Sequence, residues 1–127
     1  MDPLADALNV IKTKEHVGQS GCVLRPASKQ VREVLGIMQE HGYVGQYEFI
    51  DDGAAGKFQV QLLGNVNNCG VIKPRFAVKF TEWEKWEKRY LPSKAIGLII
   101  VSTPQGIMTH RQAKERHIGG RLMAYVY

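Results

Sequence analysis

The chain of 127 residues has only two cysteines, Cys22 and Cys69. They are too few and too far apart for a zinc motif, which needs Cys or His in close pairs, so each reads as a small core hydrophobe in a reducing compartment. No apolar run reaches the length of a membrane span, and the opening MDPLADAL lacks the cationic start of a secretory signal. The expectation is a soluble cytoplasmic protein with no membrane partner. The four histidines, His16, His41, His110 and His117, show no HExxH spacing and have no Cys partner nearby. His110 and His117 would lie two turns apart on one helical face, too distant to share a metal. Ser102 sits in no GxSxG elbow and no SxxK follows it. GAAGK at 53–57 lacks the GxxxxGK[ST] frame and falls where a hairpin turn is expected, with Asp51 and Asp52 as turn residues. No catalytic constellation, metal site or cofactor is expected.

Acidic residues are also in short supply: 12 Asp and Glu against 17 Lys and Arg, a net charge of +5 and a pI near 9.3. Polyanions are the natural partner class for such a surface, although basicity alone does not select nucleic acid. With 44% hydrophobic and 23% charged residues, the chain has enough apolar content to fold as one domain or two very small ones.

Periodicity and punctuation then give the elements. Asp2 and Pro3 open a helix over DPLADALNVIKTKE, with Leu4, Leu8 and Ile11 on its buried face. SGCVLRP is a short strand closed by Pro26. SKQVREVLGIMQEHG is a helix capped by Ser28 and stopped at Gly42, and YVGQYEFI and KFQVQLL form a hairpin around DDGAAG. The glycine- and asparagine-rich GNVNNCG marks the boundary, placing an αβαββ subdomain at 1–64, a linker at 65–69 and a second subdomain at 70–127. In that second half VIKPRFAVKF is strand interrupted at Pro74. TEWEKWEKRYLP is a helix with a Thr81–Glu84 capping box, ended by Pro92. A strand at 96–101, the turn STPQG, a short helix capped by Thr109 and Gln112 and broken by Gly119–Gly120, and the strand RLMAYVY complete it. The fold class is α+β, the second subdomain β-rich with short helices. Trp83, Trp86 and Tyr90 recur at helical spacing, the pattern of a buried stripe; base stacking usually uses exposed sheet aromatics instead.

Basic residues gather in two places. Lys12, Lys14, Arg25, Lys29 and Arg32 run from the first helix into the second, and Arg111, Lys114, Arg116 and Arg121 lie near the end, with Lys73, Arg75 and Lys79 along the strand after the boundary. One cluster per half suits a protein that bridges segments of a folded nucleic acid; a merely solvated basic surface is the alternative. Thr103-Pro104-Gln105-Gly106 suits a type I turn, with proline second and glycine fourth. A stiff strand feeding it holds the Ser102 and Thr103 hydroxyls, which both donate and accept and so match ribose 2′-OH groups and base edges in the shallow RNA minor groove. Gly106 would admit a ribose or base close to the backbone. Each such hydrogen bond contributes about 1 kcal/mol, so specificity needs several together.

The segments DPLADAL, PASKQVREVLGIMQEHGYV and, above all, GLIIVSTPQGIMTHRQAKERHIGGRLMAYV resemble the universal small-subunit ribosomal protein family number eight, over essentially the whole chain. Arg121 after the glycine pair and the NNCGVIKPRF segment resemble its archaeal or eukaryotic branch, since the bacterial form usually has Glu at the Arg121 position. The resemblance implies a non-catalytic primary rRNA-binding protein that joins the central domain of small-subunit rRNA early in assembly, beside neighbouring small-subunit proteins. It implies direct rRNA contacts by Ser102, Thr103, Gln105 and Gly106, with Arg121 reaching a phosphate or ordering the turn. Lys12, Lys14, Ser28, Lys29 and Arg32 would touch other rRNA segments. Some members also repress their own mRNA through a mimic of the rRNA site. Pro104 stands where the bacterial pattern has a second serine, which removes a hydroxyl and an N–H. Two alternatives stand beside this reading: a translational regulator binding mRNA with the same surface, and a small phosphate-substrate enzyme using the STPQG and GAAGK loops.

Overall fold

The computed structural model describes residues 2–127 and resolves into two compact units, which meet in sequence between Cys69 and Gly70. In the first unit α1 (Pro3–His16) begins where the Asp2 carboxylate accepts the Leu4 and Ala5 N–H groups, at 3.1 and 3.3 Å, with Pro3 at the first helical position. Leu4, Ala7, Leu8 and Ile11 are its buried stripe. β1 (Gly21–Leu24) leads to α2 (Lys29–Glu40), capped by Ser28 Oγ accepting the Val31 N–H at 3.1 Å. β2 (Val44–Ile50) and β3 (Lys57–Leu62) form the expected hairpin. The antiparallel sheet has the order β1-β3-β2, and Phe58, Val60 and Leu62 of β3 are buried while Gln59 and Gln61 face out. Residues 65–69, expected as a linker, are tied to this unit. Glu15 accepts the Gly64 and Val66 N–H groups, at 3.2 and 2.8 Å, and Asn65 donates to the Gly42 carbonyl at 2.8 Å.

The second unit carries β4 (Cys69–Val71), whose first residue is the last of the first unit, then β5 (Ala77–Val78), α3 (Trp83–Tyr90), β6 (Leu98–Thr103), β7 (Gly106–Thr109), α4 (His110–Glu115) and β8 (Gly120–Val126). Its sheet runs β4-β8-β6-β7, with β5 also paired to β8. The whole is α+β, as the sequence predicts. Leu98 to Val101 are all buried, which is why β6 reads as an unbroken apolar run. Ile99, Val101, Leu122, Met108, Trp83 and Trp86 share one core cluster, so the tryptophans are core residues. Phe76, Trp86, Tyr90, Tyr125 and Tyr127 stack in series beside it, with centroids 5.1 to 6.3 Å apart.

Three local expectations need correction. The Thr81–Glu84 capping box is absent: α3 starts at Trp83, and Glu82 instead closes a turn by accepting the Lys79 N–H at 3.0 Å. Trp83 is pinned by burial and by its indole N–H donating to the Ile118 carbonyl at 3.3 Å, so tertiary packing sets the helix start. The strand expected at 96–101 spans Leu98–Thr103, which makes Ser102 and Thr103 strand residues rather than part of the turn. The glycine pair does not stop α4, because the helix ends before it, and His117 lies outside the helix rather than on a shared face with His110.

That ending is instructive. After α1 and α2 the chain closes the same way, with Gly18 (φ 75°) and Gly42 (φ 77°) in the left-handed region. The following N–H groups, of Gln19 and Tyr43, return to the carbonyls of Lys14 and Met38. After α4 the Ile118 N–H returns to the Ala113 carbonyl in the same pattern, but the left-handed residue is His117, at φ 56°.

Candidate nucleic-acid interface

The β6–β7 hairpin pairs Thr103 with Gly106 across a two-residue tip, Pro104-Gln105. Thr103 Oγ1 donates to the Gly106 carbonyl at 2.8 Å and accepts the Gln105 N–H at 3.1 Å. Its hydroxyl is therefore spent on closing the turn. Gly106 has φ 114° and open space where a Cβ would stand, so conformation and not crowding selects glycine there.

Ser102 is different. It is exposed, and its hydroxyl makes no hydrogen bond among the described residues. Pairing sets it opposite Ile107 on β7 and Arg121 on β8, and Arg121 in turn is opposite Ala77 on β5. Residues directly paired in an antiparallel ladder share a face, so a hydroxyl and a guanidinium stand side by side on one exposed row. Arg121 donates only a long hydrogen bond, 3.4 Å, to the Arg75 carbonyl, which leaves most of its donors to solvent.

The glycine pair explains how the strands come this close. A Cβ on Gly119 would run into the Val78 carbonyl, and one on Gly120 would sit 2.6 Å from the Ser102 carbonyl. With Thr103, Pro104 and Arg121, these glycines line an open depression of about 510 Å³. Gln105 Oε1 accepts from Arg116 Nη1 at 3.1 Å, tying the hairpin tip to the residue that ends α4. Arg116 was visible in the sequence only as one of a basic group; its link to Gln105 depends on tertiary structure. Between Lys88 and Lys114 there is no Asp or Glu at all.

At the open end of the hairpin, away from the tip, lies a buried polar cluster. His110, fully buried, accepts the Ile99 N–H on Nδ1 at 3.1 Å, which leaves the proton of the neutral ring on Nε2. Nε2 is 3.5 Å from Glu87 Oε1, an atom that Lys114 Nζ already reaches at 2.8 Å. Burial lowers the His110 pKa to about 4 against the opposing pull of Glu87, so the ring is neutral and the long Nε2 contact is not an ion pair. Arg111 donates to the Gly97 and Lys94 carbonyls, at 2.7 and 3.1 Å, and is structural.

In the first unit Lys14, Lys29 and Arg32 are exposed and Lys12 is half-buried. Ser28, placed with them from the sequence, uses its oxygen as the α2 cap. These residues belong to the first unit, and Ser102, Thr103, Gln105, Gly106 and Arg121 to the second. Cys22 and Cys69 are free and buried, with thiols pushed up by burial to about 11 and about 12. The GAAGK loop offers no phosphate cradle. Asp52 Oδ1 accepts the Ala54 and Gly56 N–H groups, both at 3.1 Å, filling the concavity with a carboxylate of the protein's own. No group of metal-ligating side chains and no helix long and apolar enough to cross a membrane occurs among the described residues. Compared with known protein families, residues 2–127 match the model described as ribosomal protein S8.

Proposed function

The chain belongs to the ribosomal protein S8 family, structural proteins of the small ribosomal subunit that bind rRNA, and on that premise we propose which surface does the binding. The exposed row of Ser102 and Arg121, with the Pro104-Gln105 tip and Gly106 at its end, is the specific rRNA contact. The observation that carries this reading is the free Ser102 hydroxyl beside the Arg121 guanidinium on a face with no acidic neighbour in the hairpin. A hydroxyl reads 2′-OH groups and base edges, and a guanidinium grips the phosphate alongside. Thr103 contributes by holding the turn. Lys12, Lys14, Lys29 and Arg32 supply sequence-independent phosphate contacts, and Ser28 orders the start of α2 beneath them.

In this reading the target is the central domain of small-subunit rRNA, bound early in assembly in the cytoplasm, without catalysis. Arg121 and NNCGVIKPRF favour the archaeal or eukaryotic branch. Binding of the protein's own mRNA would use the same hairpin surface.

The test is binding of the full chain to an rRNA fragment carrying the central-domain helix, at physiological salt, against a scrambled RNA. Ser102→Ala should weaken binding about fivefold, one net hydrogen bond, and Ser102→Ala with Arg121→Gln at least roughly tenfold. Wild-type protein that prefers neither RNA would end the reading.

A further inference from the structure

In the second unit one aromatic ring lies outside both the core and the stacked series. Phe80 is 51% exposed, and its ring meets His117 edge to face, with centroids 6.3 Å apart. A single exposed phenylalanine needs no explanation by itself. Its position and its partner make this one different.

β5 and β6 both pair antiparallel with β8, so they run in the same direction and the residues that follow them leave the sheet at the same end. After β6 come Pro104 and Gln105; after β5 come Lys79 and Phe80. The link between the two is continuous: Gln105 is bonded to Arg116, Arg116 precedes His117, and His117 touches Phe80. Lys79 and Arg116 are exposed cations on this rim; the acidic groups near them are Glu82, whose carboxylate accepts the Lys79 N–H, and Glu115.

His117 adds an independent observation. It occupies the left-handed position that glycine fills after α1 and α2, where a side chain is disfavoured although histidine tolerates it better than most. Such an outlier at a position where glycine would close the same motif points to work done by the side chain.

We infer that Phe80 and His117 form a stacking platform for one unpaired base of the rRNA, next to the hairpin row; the inference rests on the rRNA-binding reading of that row. The exposed Phe80 ring takes the base face, His117 braces it at near right angles, and Lys79 and Arg116 hold the flanking phosphates. Stacking tolerates any base, so this subsite adds affinity and orientation while Ser102 and Arg121 read the helix.

The experiment uses the same rRNA fragment with three variants of the full chain. Phe80→Leu keeps an apolar side chain but loses the aromatic face, and binding should fall roughly 5- to 100-fold. Phe80→Trp should bind within about twofold of wild type, and its added indole fluorescence should be quenched by the RNA. His117→Gly should melt no lower than wild type, because glycine suits the φ, and should still bind several-fold more weakly. If Phe80→Leu binds like wild type while Ser102→Ala is weakened, the platform is refuted and the hairpin reading survives. Equal weakening by Phe80→Leu and Phe80→Trp also refutes it. Wild-type protein with no preference over scrambled RNA refutes both.

Discussion

The protein contains two glycine-bearing hairpin loops, and they solve opposite problems. At 51–56 the β2–β3 loop turns its amides onto its own acids: Asp51 caps the Gly53 N–H, Asp52 caps those of Ala54 and Gly56, and Arg25 lies 3.9 Å from Asp52. At 103–106 the β6–β7 turn is closed by one threonine hydroxyl, and the groups around it are Ser102, Gln105, Arg116 and Arg121, with no carboxylate in the hairpin. The first loop is electrostatically complete; the second leaves a hydroxyl and most donors of a guanidinium unspent. On the proposed reading, glycine content does not separate a structural loop from a binding loop. What separates them is whether the side chains already satisfy the donors the loop presents.

Acid should divide the two most sharply. His110 closes the base of the second hairpin through the Ile99 N–H, and its pKa is about 4 in the fold against 6.5 as the ordinary value. The unfolded chain takes up the proton first, so stability is full above pH 6.5 and declines as pH falls from there toward 4, by up to roughly 3 kcal/mol. Urea melts followed by the fluorescence of Trp83 and Trp86, both in the second unit, should show this decline; a flat profile from pH 7 to 4 would contradict it. The first loop should hold through the same range. The hydrogen bond from Ala54 lowers the Asp52 pKa below 3.8, chiefly against desolvation, so its contribution is lost only as pH falls below that value.

A second contrast comes from the glycines. Gly120→Val puts side-chain atoms against the Ser102 carbonyl and should cost about 1–3 kcal/mol by overpacking. It should also lower rRNA affinity at least roughly tenfold by displacing Ser102 from Arg121. Gly53→Ala meets no atom within 4 Å but forces φ 79° on alanine, so about 1 kcal/mol of stability should go with no change in affinity. An affinity loss from Gly53→Ala in filter-binding assays would break the comparison. Smallest of all, Asp52→Asn should loosen the 51–56 loop in amide exchange and leave rRNA binding unaltered.

What the sequence made legible was local. The Asp2, Ser28 and Thr109 caps need only a side chain and an N–H two or three residues on, and each is present, the last as a full capping box with Gln112. The buried stripe of α2 and the alternation of β3 follow from periodicity alone. The failures share a physical cause in long-range register. Thr81 yields to Glu82 because Trp83 is anchored on Ile118, far along the chain. Gly119 and Gly120 look like a helix stop until strand pairing sets them against Val78 and Ser102. In the hairpin, hydroxyls adjacent in sequence are placed differently, because successive strand residues face opposite ways and only Ser102 is paired beside Arg121. Phe80 and His117 gave no signal as a pair, since their meeting depends on β5 and β6 leaving the sheet together.

The ring that Thr103 closes has a kinetic corollary. A tip held by two hydrogen bonds, at 2.8 and 3.1 Å, has little conformational freedom left to surrender, so on the proposed reading an encounter complex with RNA need not wait for the loop to order. Variants of Ser102, which carries no charge, would then leave the association rate nearly alone and shorten residence time on the RNA, whereas Thr103→Val, by unlocking the tip, would slow capture itself.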